Sequence, residues 1–275
     1  MHRGIRYSFI VSGIAALVLA VGFSLQLPWA TGLWPWPTSR LSNLFIASIL
    51  AASAAPVLWI AISGEFAAST GGAIDLCVTY LGMAAFSLLV YLQDSARPGI
   101  LPYALFCIAL ALVSLALILW ARRIPFRDTR PLPVGVRVAF VIFCVGLVLV
   151  GGALVLRLGN VFPWRLTPEQ SVLYGWVFLG AASYFLYALM KPQWANAQGQ
   201  LLGFLAYDLV LIVPFIKHFA NVDPKLRINL IVYTTVLIYS GIVAVYYLFV
   251  NKATRYAMSG SRIAPGAMAQ EPKGG

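Results

Sequence analysis

The sequence predicts an all-α integral membrane protein of about eight transmembrane helices, and three observations carry that prediction. Of its 275 residues, 61% are hydrophobic and only 10% are charged, whereas a soluble domain carries about a quarter charged residues. The apolar residues lie in continuous blocks of the roughly 20 residues that a helix needs to cross the hydrocarbon core. The Lys and Arg residues gather in the connections between those blocks. A water-soluble surface cannot be built from so few charges, and a β-barrel would show alternating segments of about ten residues instead. Helices are required because the bilayer interior offers no partner for a free backbone group.

Taken in order, the blocks and their polar or Pro/Gly-rich borders place spans at 8–28, 42–63, 70–92, 100–121, 134–157, 169–190, 199–219 and 228–250. The first follows Arg3 and Arg6 and imitates a secretory signal. No small-x-small cleavage site appears before Pro28 and Trp29, so it reads as an uncleaved span. The second follows a Trp/Pro-rich stretch and carries the small-residue run Ala47 to Ala55 and then Pro56, which should kink it. The third carries Asp75. The fourth and fifth flank an Arg-rich connection, and Gly151, Gly152 and Ala153 in the fifth favour close helix packing. The sixth begins after Phe162-Pro163-Trp164, the seventh carries Asp208 near its middle and Pro214 beyond it, and the eighth is rich in tyrosine. Connections such as Gly64 to Ser69 and Lys191 to Gln198 are too short to hold a domain. The tail from Asn251 to Gly275 mixes Gly, Ser, Pro and charge and is expected to be flexible.

The net charge of +11 would suggest nucleic acid in a soluble protein. Here the cations flank spans, where they set orientation and meet anionic headgroups, so the expected partner is the lipid bilayer and not nucleic acid. With eight spans, the side holding both termini carries Arg3, Arg6, Arg122, Arg123, Arg127, Arg130, Arg137, Lys191, Lys252, Arg255, Arg262 and Lys273, twelve of the 19 cations. The other side carries seven, which puts both termini in the cytoplasm and the protein in the cell membrane.

A weak tandem duplication accompanies this topology. Trp34, Pro35, Trp36, Pro37, Thr38 and Ser39 lead into the second span much as Phe162, Pro163, Trp164, Arg165, Leu166 and Thr167 lead into the sixth. Pro35 and Pro163 are 128 positions apart, as are Trp36 and Trp164. The expected organisation is therefore two four-helix halves, 1–128 and 129–250, followed by the tail 251–275. Four spans per copy make the halves point the same way, related by a pseudo-two-fold axis along the membrane normal.

Of eight carboxylates, two fall inside spans beyond their first residue, Asp75 and Asp208. An ionisable group in the hydrocarbon region is costly unless it faces protein or water, so both are candidates for proton coupling, with Tyr207 beside Asp208 as a companion hydroxyl. Under the duplication they occupy corresponding helices, each followed by a leucine, which suggests a pair of protonatable groups near a central cavity. The structural alternative is a carboxyl that hydrogen-bonds a neighbouring helix. Trp29, Trp34, Trp36 and Trp164 read as interfacial anchors on the outer face, as do Tyr246 and Tyr247.

No catalytic constellation, metal cluster or cofactor motif is present. His2 and His218 both lie outside mid-span positions, which excludes bis-histidine haem ligation, and Lys191, Lys217 and Lys252 sit at span ends, which argues against a retinal Schiff base. Cys77, Cys107 and Cys144 read as membrane-buried thiols. The leading expectations are a proton-coupled transporter or ion-conducting protein using Asp208, Asp75 and Tyr207, and a non-catalytic subunit or scaffold packing against other integral membrane proteins or lipids.

Overall fold

Residues 2–255 are described by a computed structural model, and among them eight helices are long and apolar enough to cross a membrane. In chain order the helices are α1 (His2–Ser24), a one-turn α2 (Pro28–Thr31), α3 (Arg40–Ser63), α4 (Ser69–Gln93), α5 (Ile100–Ala121), α6 (Val134–Val155), α7 (Pro168–Met190), α8 (Trp194–His218) and α9 (Arg227–Val245). A π-helical turn, Tyr246–Val250, continues α9. The chain is thus a multi-pass helical membrane protein.

Local chemistry explains the helix ends. Ser39 caps α3 by accepting from the backbone N–H of Ser42 at 3.2 Å. At the other end of α3, Gly64 takes φ +73°, a left-handed conformation that glycine adopts without a Cβ penalty, and donates its N–H to Ile60 at 2.8 Å. The start of α7 is a reciprocal capping box: the Thr167 hydroxyl accepts from the Gln170 backbone, the Gln170 side chain accepts from the Thr167 backbone, and Pro168 occupies the first turn.

Two helices start well before the expected boundaries: α1 starts at His2 instead of 8, and α8 starts at Trp194 instead of 199. The polar first turn of α8 reads as a connection in sequence, but Asn196 and Gln198 are buried, and Asn196 Nδ2 donates to the Lys191 carbonyl at 2.8 Å. Burial within protein lets a helix carry residues that a lipid-facing segment would not.

Packing arranges the spans in two rows. One runs α1, α3, α8, α9 and the other α5, α4, α7, α6, with each helix packed on its neighbours in the row. Each row therefore takes two spans from the N-terminal half of the chain and two from the C-terminal half. Glycines allow the close crossings. Gly203 of α8 lies against the Ala52 backbone oxygen of α3, where an added Cβ would stand 3.0 Å away, and Gly175 of α7 faces the Gly151 carbonyl of α6.

An aromatic cluster joins the rows toward the end where α3 and α7 begin, hereafter the far end. Phe45 of α3 packs its ring 4.7 Å from Tyr174, 5.1 Å from Phe162 and 5.9 Å from Trp164. Three expected interfacial tryptophans belong to this core. Trp36 is 3% exposed and Trp164 6%, Trp34 packs against the same cluster, and Trp164 Nε1 donates to Ser42 Oγ at 3.1 Å. These rings therefore meet protein instead of headgroups. Trp29, 52% exposed, remains free to act as an anchor.

At the opposite end, where α1 starts and α9 finishes, the connections are knitted together. The buried carboxylate of Glu65 accepts from the backbone N–H groups of Arg127 and Asp128 at 3.0 to 3.1 Å. Burial pushes the Glu65 carboxyl above its ordinary range, and those backbone donors restrain the shift. Arg130 pairs with Asp128 at 2.6 Å and also donates to the Ala253 carbonyl, while Leu132 donates its N–H to Pro192. The first residues of the expected flexible tail are held here, since Thr254 Oγ1 donates to the Tyr247 carbonyl at 2.7 Å. Positions 256–275 of that expectation lie outside the described residues. Replacing Glu65 with Ala removes the acceptor shared by these backbone donors, and a loss of about 2 kcal/mol is expected. Thermal denaturation in detergent checks this, and an unchanged melting temperature would show that the clamp contributes nothing.

Candidate functional site

Asp208 lies fourteen residues into α8, about 21 Å along the helix from its start at 1.5 Å per residue. It is 7% exposed and faces α9, where Ser240 Oγ stands 3.0 Å from both carboxyl oxygens. Gly241 makes this approach possible, because an added Cβ there would stand 3.3 Å from Asp208 Oδ2. The Ser240 hydroxyl also lies 2.9 Å from the Val236 carbonyl and 3.0 Å from that of Leu237. A hydroxyl has one hydrogen to donate. A neutral Asp208 satisfies the whole arrangement: its O–H donates to Ser240 Oγ, and Ser240 donates to a carbonyl of its own helix.

Asp208 forms the floor of a groove of about 470 Å³ between α8 and α9. The α8 wall is Leu205, Leu209 and Ile212, and the α9 wall includes Leu237, Ile238, Ile242 and Val245. Apart from the adjacent pair Leu237 and Ile238, these positions recur at three- and four-residue intervals and so form a stripe on each helix. Tyr246 and Val250 of the π-helical turn line the groove toward the terminal end. Leu209, Ile238 and Ile242 are 50 to 69% exposed, so the groove opens on the outer surface of the helix bundle.

Asp75 has a different setting. It lies six residues into α4, about 9 Å from the helix start, and faces α7. Thr79 Oγ1 donates to Asp75 Oδ1 at 3.2 Å and approaches the Trp176 carbonyl at 3.4 Å. Gly180 of α7 leaves the room for this, since an added Cβ would stand 2.6 Å from Asp75 Oδ1. The two acids thus have different depths and different neighbouring helices, and the structure does not bring them together. Tyr207 turns from Asp208 toward α3, its ring 6.2 Å from that of Phe45 in the aromatic cluster.

Sequence reasoning found both intramembrane acids but missed Ser240. The only available signal was a hydroxyl-bearing residue within an apolar span, which many membrane helices carry. At the far end His218 Nε2 contacts the Pro163 carbonyl at 3.2 Å, while Asp223 pairs with Arg165 at 2.9 Å. That guanidinium holds the Asp223 carboxyl below its ordinary range. Among the described residues no three His, Cys, Asp or Glu side chains converge as metal ligands. The chain matches no protein-family model, and neither a curated protein nor a solved structure shows significant similarity to it.

Proposed function

We propose that the protein is a non-catalytic membrane subunit or scaffold whose α8–α9 groove seats a transmembrane helix of another integral membrane protein. The observation that carries this reading is the groove itself. It is an apolar channel of about 470 Å³ on the outer surface, running along two helices, with the polar pair Asp208–Ser240 hidden beneath it. Between the rows, by contrast, the far half is filled with packed aromatic rings. Helix association in a bilayer depends on shape and van der Waals packing, since lipid tails are as apolar as the side chains. A preformed groove supplies that shape, and the Asp208–Ser240 bond fixes the spacing of its walls.

A photo-crosslinking residue at Ile242, in native membranes, is expected to give one discrete protein adduct, whereas the same probe at lipid-facing Leu112 of α5 gives only lipid adducts. Identical lipid-only labelling at both positions would remove the groove as a protein contact.

The second reading is a proton-coupled transporter or ion-conducting protein. It is favoured by Asp75, which sits with Thr79 on the α4–α7 seam, and by the hydrogen-bonding geometry that accommodates a proton on Asp208. On this reading Asp208→Asn abolishes pH-driven uptake into vesicles, and full retention removes its coupling role.

In either case the proposed orientation places the Arg-rich terminal end in the cytoplasm of a cell-membrane protein. The proposed tandem origin, with halves 1–128 and 129–250, is supported by the packing pattern. Exchanging the first four spans with the last four maps α3–α8 packing onto α7–α4 packing, and one whole row onto the other. Asp75 and Asp208 are not equivalents under that exchange, because one faces α7 and the other α9.

A further inference from the structure

We propose a second site, independent of the α8–α9 groove: a pocket at the far end, between the start of α3 and the end of α8, that binds the headgroup of an anionic phospholipid. The pocket is about 390 Å³ and has two chemically distinct zones. Arg40, the first residue of α3, and Lys217, the penultimate residue of α8, supply its cations, with His218 and Asn221 beside them. Leu44, Val213 and Pro214, within about a turn of those cations toward the membrane interior, supply apolar walls together with Leu41.

Three other far-end cations are already engaged, whereas Lys225 and Arg227 lie outside the pocket. Arg97 forms a bidentate pair with Glu169, Arg165 pairs with Asp223, and Arg157 lies over the Phe86 ring. Arg40 and Lys217 have no acidic partner among the described residues. Two exposed cations at helix ends attract a phosphate through charge-assisted hydrogen bonds, with guanidinium offering a planar fork and ammonium a point charge. A free phosphate would have no use for the apolar walls below them, whereas a phospholipid places its phosphate at headgroup depth and its chain along Leu44 and Val213. Pro214 lacks a backbone N–H, so α8 loses a hydrogen bond in its last turns beside this pocket. Its fixed ring forms part of the wall.

The test is native mass spectrometry of the full chain released from nanodiscs containing equal amounts of phosphatidylglycerol and phosphatidylcholine. The wild-type protein is expected to retain the anionic lipid with a preference on the order of tenfold, and the double variant Arg40→Gln/Lys217→Gln to bind the two lipids equally. Leu44→Trp fills the apolar zone while keeping both cations, and is expected to lose the preference too. Lys225→Gln, a far-end charge outside the pocket, is expected to retain it. An unchanged preference in the double variant, an equal loss in Lys225→Gln, or displacement of the lipid by an equal concentration of inorganic phosphate would each overturn the proposal. All these variants alter exposed or pocket-lining side chains, and an unchanged melting temperature certifies the fold of each.

Discussion

Gly180→Val is expected to split the α4–α7 seam and lower stability by about 3 kcal/mol, the upper part of the range for overpacked cores. An added Cβ at Gly180 would stand 2.6 Å from Asp75 Oδ1 and 2.7 Å from the Asp75 backbone oxygen. The side-chain contact can relax by rotation, but the backbone contact cannot, so the helices must separate. Gly152→Val on α6 provides the comparison, because nothing lies within 4 Å of its added Cβ. Its expected effect is within about 0.5 kcal/mol. Melting temperatures of the two variants in one detergent decide the matter, and equal shifts would contradict the described seam. The consequence reaches the proton-coupling reading as well, since separation of this seam would open Asp75 to its surroundings.

Trp164→Ala is expected to cost about 3 kcal/mol, comparable to large-to-small changes in soluble cores. Trp164 touches Phe45, Phe162 and Phe215, and its indole N–H donates to Ser42 Oγ. Its removal leaves a cavity where the α6–α7 connection is fastened to the start of α3. Trp29→Ala should be near neutral for stability, because that ring is half exposed on the one-turn α2. Chemical denaturation followed by fluorescence separates the two. Similar costs would mean that both rings serve only as headgroup anchors, as the sequence pattern suggests.

The contrast between these tryptophans shows where sequence reading stopped. All four lie in Trp/Pro-rich segments beside spans, and local composition cannot tell a ring that meets headgroups from one that meets Phe45 on a distant helix. The eight spans were legible because each is a continuous apolar block, although α1 starts earlier, among Arg3 and Arg6, and α8 starts earlier, where buried Asn196 and Gln198 imitate a connection. Asp75 and Asp208 were legible because a carboxyl is rare among such residues. Their partners were not: Ser240 is 32 positions from Asp208, and Gly180 reaches Asp75 from another hairpin. Glu65 was passed over as part of a short connection, although it is 4% exposed and clamps a loop more than 60 positions away. The two-row arrangement rests on α3–α8 and α4–α7 packing, which is non-local and leaves no periodicity to read.

The measurement that bears most directly on the central claim is native mass spectrometry of the protein gently extracted from its own membrane, beside a variant with Trp at Ile238 to obstruct the α8–α9 groove. The scaffold reading predicts a protein companion of fixed stoichiometry with the wild-type chain and its loss from the variant, with both chains equally folded. A bare monomer or homodimer in both preparations would contradict it and make Asp208 the first residue to examine for proton coupling.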